Sequence, residues 1–462
     1  MARHSTHLPQ ERTALIVGAG LAGPLLACLL QRQGWQVTLL EKRGDPRKSL
    51  ANTGKSINLA LAERGLQALR LIGLEASVLA EAVAMRGRRV HSLGNPASYQ
   101  PYSPRSEDVL WSIQRGRFNQ QLLAAAEAAG VRLRFDTPLE QVDWAAQCAL
   151  AGGEHLSFDL LVGADGADSA VRRAMALVTS LGEHREWQPH GYKELYMPSR
   201  ADGCPRLEAD ALHIWPRGGH MCIALPNIDG SFTATLFLPH DNTDEACFKR
   251  LAEGKVARSW FERIYPDLSE YLPNLEQDFE YNPTGQLGSL WLRKWQVEGC
   301  AVLIGDAAHP MVPFHGQGMN CALEDATALA KYLTAQPELS RALSAYEEER
   351  QPNASAIQAM ALENYVEMRE RVSSAGYQLE RQLAQWLEAE HPERFMSRYS
   401  MVTFSNLPYA TAQARGEIQS ELLRLAVKGC KSFEEINLAA VKSQLHRHLT
   451  PLYPLGGMDG CM

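Results

Sequence analysis

One glycine pattern restricts the fold more than any other feature: Gly18-Ala-Gly20-Leu-Ala-Gly23 sits directly behind the apolar run Ala14 to Val17 and ahead of a helical stretch reaching about Gly34. Glycines at this spacing allow a tight strand-to-helix turn and let the backbone approach a diphosphate at the positive end of a helix. A second apolar run, Gln36 to Leu40, ends at Glu41. Strand, glycine turn, helix and strand form a βαβ unit, which implies a parallel sheet. A carboxylate at the end of the second strand can accept hydrogen bonds from ribose hydroxyls, as an adenosine without a 2′-phosphate requires. By itself the glycine pattern also fits a plain turn. The register of strand, helix and acid predicts a dinucleotide site.

The chain has 462 residues, enough for two or three domains, and its 45% hydrophobic content can fill sizeable cores. A formal net charge of −7, with no run of Lys or Arg, argues against a nucleic-acid partner. The nine cysteines form neither a C-x-x-C pair nor a Cys/His cluster at metal-ligand spacing, so reduced thiols and no metal site are expected. The N-terminus lacks the apolar stretch of a secretory signal, and no run of about 18 apolar residues occurs. A soluble, cytoplasmic protein is expected. Alternating segments at 213–215, 221–225 and 231–238 suggest a second domain built on a sheet with one face covered and one face working. From about Leu323 onward the pattern turns helical, with apolar residues at three- and four-residue spacing in 354–372 and 417–427.

Two further motifs are apolar strands running into acidic glycine turns: Asp159-Leu-Leu-Val-Gly-Ala-Asp165-Gly166-Ala-Asp-Ser169-Ala-Val-Arg172, and Ala301-Val-Leu-Ile-Gly305-Asp306-Ala-Ala-His309-Pro310. The second leads into the glycine-rich Phe314-His-Gly-Gln-Gly-Met-Asn320 and a helix. Singly, each could be an ordinary strand exit. Together with the first pattern they resemble the three fingerprints of the FAD-dependent aromatic hydroxylases, over most of the chain. The resemblance implies an α/β fold: a Rossmann-type FAD-binding domain (1–190 with 285–335) interwoven with a mixed β-sheet substrate domain (191–284 with parts of 70–115), then a helical region (336–462). It implies tightly bound FAD held by Gly18, Gly20, Ala22, Gly23, Glu41, Lys42, Arg43, Ala60, Arg115, Leu139, Asp165, Asp306, Gly318, Met319 and Asn320. Asp306 would lie by the ribityl chain, and the helix after Gly316 would point its N-terminus at the flavin ring, stabilising the reduced anion. No second dinucleotide fingerprint is visible, which agrees with a family in which NADPH or NADH visits without a domain of its own, NADPH being the expected reductant although no motif chooses between the two.

Longer stretches are more specific, among them Ser56-Ile-Asn-Leu-Ala-Leu-Ala-Glu-Arg-Gly65, Met85-Arg-Gly-Arg88, His190-Gly-Tyr-Lys-Glu194, the run from Pro310 to Asp325, and Arg398-Tyr-Ser-Met-Val-Thr-Phe404. They are similar to the branch of the family that hydroxylates L-kynurenine with O2. The resemblance places Arg88 and Tyr102 on the substrate carboxylate, with Asn364 and Tyr399 completing the polar grip. An arginine fork suits a carboxylate, and phenols and an amide orient the rest without adding charge. Phe237, Pro313, Phe314 and His315 would line the ring end and exclude water. No acid or base is assigned, because the ring amino group already activates the neighbouring carbon. Lys55 stands where the family usually has arginine, which keeps the charge but loses the planar fork. The polar ending Leu455-Gly-Gly-Met-Asp-Gly-Cys-Met462 differs from the membrane anchor of eukaryotic members, again suggesting a soluble protein. The oligomeric state is left open.

Overall fold

The computed structural model of the chain describes residues 12–48, 58–242, 245–367 and 375–452; Lys55 and Cys461 lie outside them. Thr13–Val17, Gln36–Leu40 and Leu160–Gly163 are short apolar runs, and they lie side by side in parallel at the centre of a six-stranded sheet. Its order is Gln296–Val297, Ala301–Leu303, Leu160–Gly163, Thr13–Val17, Gln36–Leu40, Arg132–Arg134, with only the outermost Gln296–Val297 pair antiparallel. The strands of the second and third motifs are therefore neighbours, Leu161 opposite Ala301 and Gly163 opposite Leu303. Strands covered on both faces read as continuous apolar runs. Helices Ala22–Arg32 and Gly318–Ala335 pack on each other beside this sheet.

The alternating middle region forms a seven-stranded sheet in the order Gly285–Trp291, His184–Met197, Phe232–Pro239, Met221–Pro226, Ala211–Pro216, Gly87–Val90, Ser98–Pro101. The boundary expected at residue 190 falls inside the long strand His184–Met197, and Gly285–Trp291 joins this sheet instead of the first. Alternation fixes side chains to faces, not to domains, so it could not show where the chain crosses over. One face packs on Gly254–Ile264, Pro266–Ser269 and Leu275–Tyr281 through a core holding Trp215, Trp260, Phe261, Tyr265 and Phe279. The other face is free to line a cavity.

A small sheet, Asn58–Leu61, Leu110–Gln114 and Val83–Met85, bridges the two larger ones. The helical region begins at Gly318, earlier than the periodicity suggested, and continues through Leu339–Val366, Ala375–Glu390, Arg398–Thr403, Tyr409–Ala426 and Leu438–His448. Its end has a separate core of Leu383, Leu387, Phe395 and Leu445. Among the described residues no helix is long and apolar enough to cross a membrane, and eight cysteines are free thiols.

Candidate functional site

The three sequence motifs meet at one end of the parallel sheet. Gly18 adopts φ +106°, and a Cβ there would stand 2.4 Å from the Ala164 carbonyl oxygen, so the first glycine is pressed onto the second motif. A Cβ on Gly23 would stand 2.0 Å from the Gly18 oxygen, which closes the turn onto its helix. Gly20 differs: nothing lies within 4 Å of its absent side chain, and it opens into a cavity of about 540 Å³. Arg172, at the end of the second motif, donates to the carbonyls of Ala167 at 2.6 Å and Ala307 at 2.8 Å, tying that motif to the third. Asn119, which no sequence motif singles out, donates to the carbonyls of Ala19 and Gly20 at 2.8 and 2.6 Å. It stands one turn beyond Arg115 on the helix Arg115–Ala128, so a single helix face clamps the glycine loop and presents a guanidinium to the cavity.

Two helix N-termini open onto this cavity. Ala22–Arg32 and Gly318–Ala335 both start without a side-chain cap and without an acidic residue in the first turn, leaving their amides to an external acceptor. Between them lie Ala60, Arg115, exposed Asp306, Gly318 and Met319. Uncapped amides, a glycine with open space before it and the Arg115 guanidinium suit an anionic dinucleotide, so the residues fit FAD. Glu41 accepts from the amides of Ala19 and Arg43, both at 3.0 Å, at the tip of its strand. Lys42 and Arg43 are exposed beside it. Leu139 begins a strand just past Thr137, whose amide donates to the Glu41 carbonyl at 2.9 Å.

Two expected cofactor residues have side chains committed elsewhere. Asp165 accepts from the Ser169 hydroxyl at 2.5 Å and from the amides of Ala170 and Val171 at 2.6 and 3.2 Å, so its carboxylate caps the following helix. The Asn320 amide accepts from Ala62 N at 2.9 Å and donates to the carbonyls of Ala60 and Gly316, pinning the loop before its helix to the small sheet. A separate network that no sequence pattern pointed to centres on Asp325: its fully buried carboxylate accepts from Gly305 N at 2.9 Å, His309 Nε2 at 2.5 Å and Arg350 Nε at 2.8 Å. Burial would raise its pKa, but the His309 and Arg350 contacts hold it below the usual carboxylate range. His309, Cys321 and Asp325 are close enough to hold an ion. Arg350 already contacts Asp325 and approaches Cys321 Sγ at 3.4 Å, which places a fixed cation where a metal would sit.

The free face of the seven-stranded sheet forms the cavity floor. Alternate residues project into it: Tyr192 and Glu194, then Thr235 and Phe237, Ile223 and Leu225, Leu212 and Ile214, and finally Arg88. All eight expected substrate residues line this space. Arg88 is buried; its Nε donates to Gln100 Oε1 at 3.0 Å and an η nitrogen to the Tyr377 hydroxyl at 2.9 Å, which in turn donates to Glu367 at 2.5 Å. Burial lowers the Arg88 pKa, but nearby Tyr377, Glu367 and Tyr399 outweigh it and the net shift is upward, so Arg88 stays charged. Gln100, Tyr377 and Glu367 were not foreseen, because they reach Arg88 from a neighbouring strand and from helices far along the chain.

Tyr102, Tyr399 and His315 form an aromatic column, with ring centroids 5.2 and 5.7 Å apart. Burial pushes the Tyr399 hydroxyl up to about 12 and the His315 imidazole down to about 4, so both are neutral at neutral pH. Phe314 stacks on Tyr365 at 4.0 Å and meets Phe237 at 4.9 Å, making an apolar wall. Asn364 donates to the Phe314 carbonyl at 2.6 Å and so supports that wall from the helix Leu339–Val366.

Residues 11–191 and 274–361 match the FAD binding domain family. The chain is 49% identical to kynurenine 3-monooxygenase of Stenotrophomonas maltophilia (strain K279a) over 96% of its own length and 98% of that protein. It is equally identical, 49% over the same shares, to kynurenine 3-monooxygenase of Xanthomonas campestris pv. campestris (strain 8004). Among solved structures, the tetrameric form of 2-methyl-3-hydroxypyridine-5-carboxylic acid oxygenase superposes with a TM-score of 0.67 at 22% identity, covering 82% of this chain and 98% of that one. PqsL of P. aeruginosa in complex with 2-aminobenzoylacetate gives 0.65 at 22% identity over 78% and 98%. These structures share the fold, and the match of nearly the whole chain to its sequence relatives goes further: the chain belongs to the kynurenine 3-monooxygenase family of FAD-binding proteins.

Proposed function

We propose that this protein is a cytoplasmic FAD-dependent monooxygenase that converts L-kynurenine, NADPH, a proton and O2 into 3-hydroxykynurenine, NADP and water. One observation carries the reading: a single cavity runs from a glycine loop and two uncapped helix N-termini, across an apolar sheet face, to a buried charged arginine. FAD would be held by Gly20, Ala22, Arg115, Asp306, Gly318 and Met319, with Glu41 on a ribose and Lys42, Arg43 and Leu139 flanking the adenosine. Gly18, Gly23, Ala60, Asp165 and Asn320 shape the loops around it. When bound, FAD supplies hydride acceptance and oxygen activation.

The chain's own residues bind, orient and keep water out. Arg88 pairs with the substrate carboxylate, Tyr102 and Tyr399 donate hydroxyls to the amino-acid end, and Asn364 holds Phe314 in place. Phe237, Pro313, Phe314 and neutral His315 surround the ring, whose own amino group directs attack to the adjacent carbon. His315 moves no proton in this scheme. The carboxylate demand of Arg88 favours an aromatic amino acid over a plain phenol.

The test is to purify the flavoprotein and follow NADPH and oxygen consumption with and without L-kynurenine, identifying the product by mass and chromatography. Acceleration of both rates with a product one oxygen heavier, matching the 3-hydroxy standard, is expected. NADPH oxidation that kynurenine leaves unchanged would sink the substrate assignment, and reduction without oxygen uptake would sink the monooxygenase reading.

A further inference from the structure

The cavity has a second end. Four strand spacings from Arg88, roughly 19 Å across the sheet, Trp187 lines the same cavity yet is 52% exposed. Among the described residues no other large aromatic side chain both lines the cavity and lies half open to solvent. A single exposed aromatic is ordinary on a protein surface; Trp187 is set apart by lining the cavity with a cation beside it. Its seat is built for it. Trp187 pairs with Gly288 on the next strand, and a Cβ on Gly288 would stand 2.5 Å from the indole, so only glycine lets the ring lie against that strand. Arg185, also lining the cavity, holds its guanidinium 5.4 Å from the indole centroid.

An aromatic platform with a cation beside it matches a molecule with flat rings and phosphates. The glycine fingerprint serves one dinucleotide only, so a second must dock elsewhere. It must nevertheless enter this cavity, because hydride passes only between atoms about 3 to 3.5 Å apart. We propose that Arg185 and Trp187 are the docking site of the nicotinamide dinucleotide, the indole stacking on one of its rings and the guanidinium pairing with its phosphates. This rests on the reading of the protein as an NADPH-dependent flavoenzyme. Glu183 bonds Arg185 at 3.1 Å and also contacts Arg172 at 3.4 Å, which holds the cation at the rim next to the second motif. Reductant and aromatic acid thus enter opposite ends of one space, and neither displaces the other's cation.

The experiment is anaerobic flavin reduction by stopped flow across a range of NADPH concentrations, without kynurenine, on the holoproteins of wild type, W187A, W187F and R185Q. Calorimetric titration with NADP runs alongside. The dissociation constant for NADPH should rise about tenfold or more in W187A and R185Q, a loss of about 1.4 kcal/mol or more, and stay within about threefold in W187F. FAD content, reduction by dithionite and the kynurenine-induced change in the flavin spectrum should not move. NADPH and NADP affinities within about twofold of wild type in both W187A and R185Q overturn the proposal. So does a lower limiting rate at unchanged affinity, which would mean that the indole acts on the flavin. Because the titration contains no kynurenine, a wrong substrate assignment would leave this comparison intact.

Discussion

Arg88 is buried, charged and already shares two donors with Gln100 and Tyr377, leaving the rest of its fork for a ligand. Truncation removes the cation and also strands both partners, so the expected loss is about 2 to 4 kcal/mol. For R88A the KM for L-kynurenine should rise about thirtyfold or more, while R88K should fall between, having charge but no fork; steady-state kinetics decides. Asp325 acts at one remove. It holds both ends of the turn 305–309, which carries Asp306 into the cavity. In D325N an amide donor would face the Gly305 amide and Arg350, so FAD affinity should fall about tenfold or more. Glu324 bonds the same Arg350 and Arg64 but not the turn, so E324Q is the control and should keep its FAD. Equal loss of FAD in both, measured by ultrafiltration, would reduce Asp325 to a structural role.

At the scale of elements, the glycine loop and its helix separate folding from binding. A methyl on Gly23 has no room, being aimed at the Gly18 oxygen, whereas one on Gly20 meets only open cavity. G23A should therefore lower the melting temperature of the protein or prevent its folding. G20A should fold with an unchanged apoprotein melting temperature yet bind FAD more weakly, because the added carbon stands in the path of the diphosphate. Calorimetry of apo and holo forms checks both. Equal behaviour of the two variants would mean that the loop geometry is misread. The same elements show what a sequence can reveal. Each motif is local, a strand and its exit turn, and periodicity and turn chemistry exposed all three. Asn119, Arg172, Tyr377 and Asp325 act through contacts with carbonyls or charges distant in sequence, which no spacing rule reports.

For the whole molecule, burial of neutral histidines sets a pH dependence. His91, His220 and His315 are each lowered to about 4 from 6.5, with burial as the first cause. Between those values the unfolded chain binds more protons than the native one, so stability is fully present above pH 6.5 and is lost as pH falls toward 4. Each histidine contributes up to about 1.4 kcal/mol per pH unit. Glu194 and Glu388, raised by burial, work in the opposite sense. The melting temperature should drop between pH 6.5 and 4.5; a flat profile would contradict three buried neutral rings. Sequence by itself determined the dinucleotide turn, the strands around it and the family resemblance, and through that resemblance the eight expected substrate residues that line the cavity, because these depend on local backbone chemistry and on motifs read in order. Only the tertiary structure decided that His184–Met197 runs through the expected domain boundary, that Asp165 and Asn320 spend their side chains on the protein itself, and that Arg88 and Trp187 face opposite ends of one cavity. The reason is physical: which face of a strand meets which helix is set by packing between segments far apart in the chain, and that free energy has no signature within any one of them.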